Sequence, residues 1–157
     1  MNYSNKHITL GVDKDMRRLP LTEKHTTEDV YFNATFTPPL PAIDKFNANR
    51  FIYGSLSEDT ISIIGRHVFD ESMDFLSFVL PRDLKNGTHP IVQWGEGGVS
   101  ALVATSTVPY DGRDGELTIT QDKNRNTAHA TFNFDITYAG DTYKVNGELF
   151  VVATGPL

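Results

Sequence analysis

One stretch near the end of the chain leaves little choice of fold. From Ala128 to Tyr138 the even positions are Ala128, Ala130, Phe132, Phe134, Ile136 and Tyr138, and the odd ones are His129, Thr131, Asn133, Asp135 and Thr137. Successive side chains leave a pleated strand on opposite sides, so this alternation predicts a strand with one face in a core and one in water. Ala139-Gly140-Asp141 supplies a turn. Tyr143, Val145, Gly147, Leu149 and Val151 then continue one face of a return strand. Its end, LFVV, is apolar on both faces and predicts cover from both sides. Upstream, GELTIT alternates as well, with Leu117 and Ile119 facing in, and QDKNRNT is a polar loop. Residues 115–152 are expected to form a three-stranded antiparallel meander.

The earlier segments carry the same signals less regularly. VYFNATFT is rich in β-formers and runs into Pro38-Pro39, which is expected to end it. NRFIYGSLS and TISIIGRHV predict a hairpin around Glu58-Asp59. MDFLSFVLP, the Asn-Gly turn of DLKNGTHPIV and the run VSALVATSTV predict further strands. Turns this frequent, without helical periodicity, predict an all-β fold: an antiparallel β-sandwich of about nine or ten strands, or alternatively a closed lipocalin-like barrel. The chain of 157 residues is long enough for one domain with a substantial core. Residues 1–29 are expected to be an irregular arm, with a short strand at HITLGV, and residues 30–157 a single β domain.

Charge narrows the partners. A formal net charge of −6, with no run of Lys or Arg, opposes the phosphates of nucleic acid and of anionic membranes. No stretch approaches the roughly 18 apolar residues of a membrane-spanning helix. The chain has no cysteine, which removes disulfides, thiolate metal sites and cysteine nucleophiles together. Residues 1–18 lack an apolar run of signal-peptide length. As written the chain reads as cytoplasmic, or as secreted or periplasmic if it is a mature form.

The order of segments FNATF, IIG, LSFVLP, LKNGTHPI, DGELTIT, ATFNFDI and VNGELFVV resembles a group of uncharacterised bacterial β-sandwich proteins, mostly secreted or lipoprotein-anchored. In those, a GxLTIT strand precedes a GTFxF strand and a closing xNGxF strand. The resemblance spans about residues 30–152 and implies a sandwich fold, with no catalytic residues to carry over. Ala130 stands where that group has glycine, and the chain has no lipobox cysteine, so membrane anchoring is not implied.

Three constellations could carry chemistry. In YDGRDGELTIT, Asp111, Asp114 and Glu116 offer hard oxygen ligands on a glycine-rich loop, as Ca²⁺ requires. The spacing is not that of an EF-hand, and a solvated turn is the expected reading, with no cofactor. In GRHVFDESMD, His67, Asp70, Glu71 and Asp74 could serve a metal or acid–base chemistry if a turn gathers them. In QWGEGG, Trp94 could stack on a sugar while Glu96 bonds its hydroxyls; a tryptophan plugging the core end is the competing reading. No G-x-S-x-G elbow, HExxH pair or phosphate loop is present.

The expectation is therefore a non-catalytic domain that binds protein or glycan through its end loops. A carboxylate hydrolase using Asp70, Glu71 or Asp74 is the first alternative. A carrier of a small apolar ligand is the second, conditional on a closed barrel.

Overall fold

A computed structural model describes residues 24–25, 29–41, 43–70, 72–94, 96–105 and 108–157. The strands are β1 (Lys24–His25), β2 (Tyr31–Leu40), β3 (Ile43–Asn47), β4 (Arg50–Gly54), β5 (Thr60–Phe69) and β6 (Ser72–Pro81). They continue with β7 (Gly87–Pro90), β8 (Ser100–Thr105), β9 (Val108–Asp111), β10 (Arg113–Asp122), β11 (Thr127–Tyr138) and β12 (Asp141–Val152). Among the described residues there is no helix, and none therefore long and apolar enough to cross a membrane. The predicted HITLGV strand and most of the 1–29 arm lie outside the described residues; Lys24–His25 pairs with β4.

Two antiparallel sheets form the sandwich. The first has the order β1-β4-β5-β6-β8-β9 and the second β3-β2-β12-β11-β10-β7. Among the described residues no ladder joins them, so the barrel alternative is wrong, and with it goes the condition for a barrel-held apolar ligand. Closure would have required edge strands to pair across the gap. Instead the chain passes between sheets at several connections, each sheet keeping its own edges.

The meander stands as expected. β11 pairs with β10 on one side and with β12 on the other, Phe132 opposite Leu117 and Gly147. Ala128, Ala130, Phe132, Phe134 and Ile136 are all buried, while His129, Thr131 and Thr137 are exposed. The core joins the sheets through aromatic rings. Phe78 of the first sheet lies 6.0 Å from Phe32, 4.9 Å from Phe132 and 6.0 Å from Phe134 of the second. Each such pair contributes about 0.5–1.5 kcal/mol beyond its area burial. Of the LFVV end, Phe150 and Val152 on the outer side are half-buried.

The two sheets differ in their outer faces. In the first, Ile52, Ile64, Phe75, Val79, Leu102 and Ala104 alternate with the core residues and are buried too. ISII, FLSFVL and ALVA are thus continuous apolar runs because both faces of these strands are out of water. The outer face of the second sheet is polar and largely open. That asymmetry leaves the second sheet as the broad face through which this domain meets solvent.

Candidate functional site

Cross-strand pairing lines up polar side chains across the second sheet. One row runs Asn47, Asn33, Glu148, Thr131, Thr118 and Thr88, from β3 to β7. The next runs Lys45, Thr35, Asn146, Asn133, Glu116 and Pro90. On the other side of the first row stand Tyr31, Phe150, His129 and Thr120. Six strands at about 4.8 Å spacing give rows of roughly 24 Å. Near the β3 edge the face dips into a shallow groove of about 430 Å³ lined by Tyr31, Asn33, Lys45, Asn47, Asn146 and Glu148 among others.

Glu148 is the fixed point of this groove. Tyr31 Oη donates to Glu148 Oε1 at 2.6 Å, and His129 Nε2 lies 2.8 Å from the same oxygen. A carboxylate only accepts, so His129 carries its proton on Nε2. The two bonds hold the Glu148 carboxyl below its ordinary 4.5, Tyr31 contributing most and His129 next. In the opposite sense, Tyr31 is pushed up to about 12, first by its removal from water and then by the carboxylate beside it. Both donors fall on Oε1, and among the described residues Oε2 has no partner. The amides of Asn33, Asn47 and Asn146 are likewise exposed and unbonded to other described residues. The ring of Phe150 lies 6.5 Å from that of Tyr31 and supports it from the side. The arrangement offers a fixed acceptor, several groups that both donate and accept, and an aromatic edge.

Further along the face the charges pair with one another. Asp135 stands between Arg113 and Lys144, with oxygen–nitrogen distances of 3.8 and 3.6 Å, and Arg113 Nη2 donates to Thr137 Oγ1 at 2.6 Å.

The three candidate Ca²⁺ ligands lie around one corner of the fold. YDGRDGE is a corner where the chain changes sheets: Asp111 ends β9, paired with Leu102 of the first sheet, and Glu116 faces Asn133 in the second. Gly112 makes the crossing, its N–H bonded to Ala101 O at 2.9 Å. A Cβ there would lie 2.8 Å from the Phe134 ring and 2.9 Å from Ala101 Cβ, so the glycine is present for close approach of the two layers. Asp114 sits at φ 52° in a register shift of β10, its carboxylate 3.0 Å from Arg113 Nη1. Among the described residues no three His, Asp or Glu side chains converge in a way that could hold a metal ion.

The second constellation is a hairpin whose strands end at Phe69 and Ser72. His67 stands directly opposite Asp74, which is buried, whereas Asp70 is exposed at the tip with φ 48°. Glu71 lies outside the described residues. Asp70 and Asp74 therefore occupy different surroundings. Trp94 and Glu96 lie on the 91–99 connection between the sheets, footed on the Ile91–Val99 bridge. Trp94 is half-buried in a small crevice beside Ala101, Leu102 and Gly112, and Glu96 is exposed.

Sequence reasoning passed over Tyr31, Asn33, Lys45, Asn47, Asn146 and Glu148 because they occupy the polar phase of alternating strands, which any solvated face shows. A signal was present. Asparagine is depleted in strands, yet Asn33, Asn47, Asn133 and Asn146 all sit within them, and in adjacent rows. Local rules are most often broken where a site requires it.

Compared with known proteins, the chain matches no family, no curated protein and no solved structure.

Proposed function

We propose that this domain is a binding module that takes a neutral glycan on the open face of its second sheet. The observation that carries the reading is the fixed Glu148 carboxylate, with Oε1 held by Tyr31 and His129 and Oε2 free, flanked by exposed asparagine amides. Sugar hydroxyls are donors and acceptors at once. A preset carboxylate oxygen takes the donor, and amides serve both functions. The half-buried Tyr31 ring offers apolar area to the carbon face of a sugar. The groove is shallow and open along the rows, which suits an extended chain more than a small enclosed ligand. Placing the ligand on the sheet departs from the end-loop expectation, because Trp94 and Glu96 do not form a comparable platform.

Affinity electrophoresis against neutral polysaccharides (a glucan, a xylan, a mannan and a galactan) with a polyuronate for comparison tests this. Retardation by at least one neutral polymer is expected. Glu148→Ala and Asn33→Ala should weaken it about tenfold or more, as loss of hydrogen bonds to charged or buried partners does. Trp94→Ala should leave it unchanged. No retardation by any neutral polymer, or retardation that depends on Trp94 and not on Glu148, would overturn the reading.

A further inference from the structure

A second cavity lies at one end of the sandwich, away from the glycan face, and its chemistry is different. The end of β4, the start of β5, the residue after β6, the β10–β11 loop and the segment after β12 surround a cleft of about 360 Å³. The segment after β12 closes it by bonding to both sheets. Ala153 N donates to Asn126 O at 2.8 Å, Thr154 N to Tyr53 O at 2.9 Å, and Ser55 N donates to Pro156 O at 2.6 Å. Tyr53, Ile61 and Leu157 supply apolar walls.

The cleft holds three groups with donors to offer, Tyr53, Arg82 and Lys123. Tyr53 is almost wholly buried, and its hydroxyl oxygen accepts from Gln121 Nε2 at 2.8 Å. That leaves the hydroxyl proton of Tyr53 without an acceptor among the described residues. Arg82 is held in place from the loop side. Its Nε donates to Glu58 O at 2.6 Å, and Nη2 donates to Ser57 O at 3.1 Å and to Ser55 Oγ. All three acceptors are neutral, and both hydrogens of Nη1 have no partner among the described residues. Lys123 adds a second cation that no described carboxylate pairs. The one side-chain carboxylate in the lining, Asp122, is turned to its own loop, where Oδ1 accepts from Asn124 N at 2.9 Å and Arg125 N at 3.1 Å. Apolar walls, a buried hydroxyl proton and two cations that no described side-chain carboxylate pairs suit a small anion with an apolar body.

We propose that this end cleft binds a small amphipathic carboxylate, its carboxylate group meeting Arg82, Lys123 and the Tyr53 hydroxyl and its hydrocarbon part lying on Tyr53, Ile61 and Leu157. The site is independent of the glycan face: its residues lie on the other side of the second sheet or at its end, and neither reading needs the other.

The test is nitrogen–proton NMR of the whole chain titrated with benzoate and with hexanoate, alongside benzyl alcohol, hexanol and inorganic phosphate. Benzoate or hexanoate should shift the amides of Gln121, Asn126 and Tyr53 in a saturable way. The alcohols and phosphate should bind about tenfold more weakly or worse, since each lacks one half of the recognised chemistry. Lys123→Ala and Tyr53→Phe should each weaken the carboxylate severalfold; the first is a surface change that leaves the core untouched. Equal binding of the alcohols, equal binding of phosphate, or shifts confined to other parts of the molecule would overturn the proposal.

Discussion

Gly147 and Phe132 face each other across the β11–β12 ladder, and the ring occupies the space a side chain on Gly147 would need. An added Cβ would lie 2.4 Å from Phe132 Cζ and 2.1 Å from the carbonyl oxygen of Asn33. One of these neighbours is a ring that could turn, but the other is backbone. Gly147→Ala should therefore destabilise the fold by at least about 1–3 kcal/mol, the usual cost of overpacking. Urea unfolding measures it. In a Phe132→Leu background the cost should fall only in part, because the clash with Asn33 remains.

The core phase of β11 should be as sensitive as its outer phase is tolerant. Phe132→Ala or Phe134→Ala should cost about 3–5 kcal/mol, since each ring packs on Phe78 of the facing sheet. Asn133→Ser, on the opposite face, should change stability by less than about 0.5 kcal/mol. Thermal or chemical unfolding of the three variants checks the contrast directly.

The Tyr31–Glu148 pair sets two pH dependences of opposite sign. Tyr31 is pushed from its usual 10.0 up to about 12, so the unfolded phenol ionises first. Its contribution to stability is whole below pH 10 and is lost between there and about 12. Glu148 is held below 4.5, so its contribution is present above that value and fades as pH falls through the folded one. Tyrosinate absorbance of the wild type minus that of Tyr31→Phe should show one late-ionising phenol. Glu148→Gln should bring that phenol back toward the ordinary range; an unchanged titration would mean the hydrogen bond is not made.

Thermal melting midpoints in millimolar Ca²⁺ and in chelator should coincide. Asp111 and Glu116 belong to different sheets, and Asp114 is paired with Arg113. A real site would stabilise by RT ln(1 + [L]/Kd), about 2.7 kcal/mol at a hundredfold excess over Kd. A rise of several degrees that Asp114→Ala abolishes would show the acids converging after all.

How much of this was legible depended on which side of a strand faced water. β10, β11 and β12 announced themselves because one face is wet, and wet and dry residues then alternate. The sequence pattern ends β2 at Pro38. In the structure it continues to Leu40, because the two prolines fall in the gap between the Thr35–Lys45 and Leu40–Ile43 pairs, where no ladder N–H is required. VSALVATSTV has the pattern of one strand, yet it holds β8 and the start of β9. The glycines of YDGRDGE suggested a pliable loop, whereas Gly112 serves a tight corner between layers. The site on the second sheet was least visible, because Glu148, Tyr31 and His129 stand far apart in sequence and only the register of β2, β12 and β11 brings them to one oxygen.

The burial of the first sheet on both sides also governs how this chain can change over generations. In β11 and β12 every second position looks outward and should accept most residues that a strand tolerates. In β5, β6 and β8 that freedom is nearly absent: Ile61 through Arg66, Asp74 through Leu80 and Ser100 through Ala104 are buried without a break. A saturation library selected for folding should thus show a two-residue rhythm of acceptance in one sheet and an almost unbroken block of intolerance in the other. Drift is channelled onto a single side of the molecule, the side that carries Glu148, where substitutions can accumulate without touching what holds the layers together.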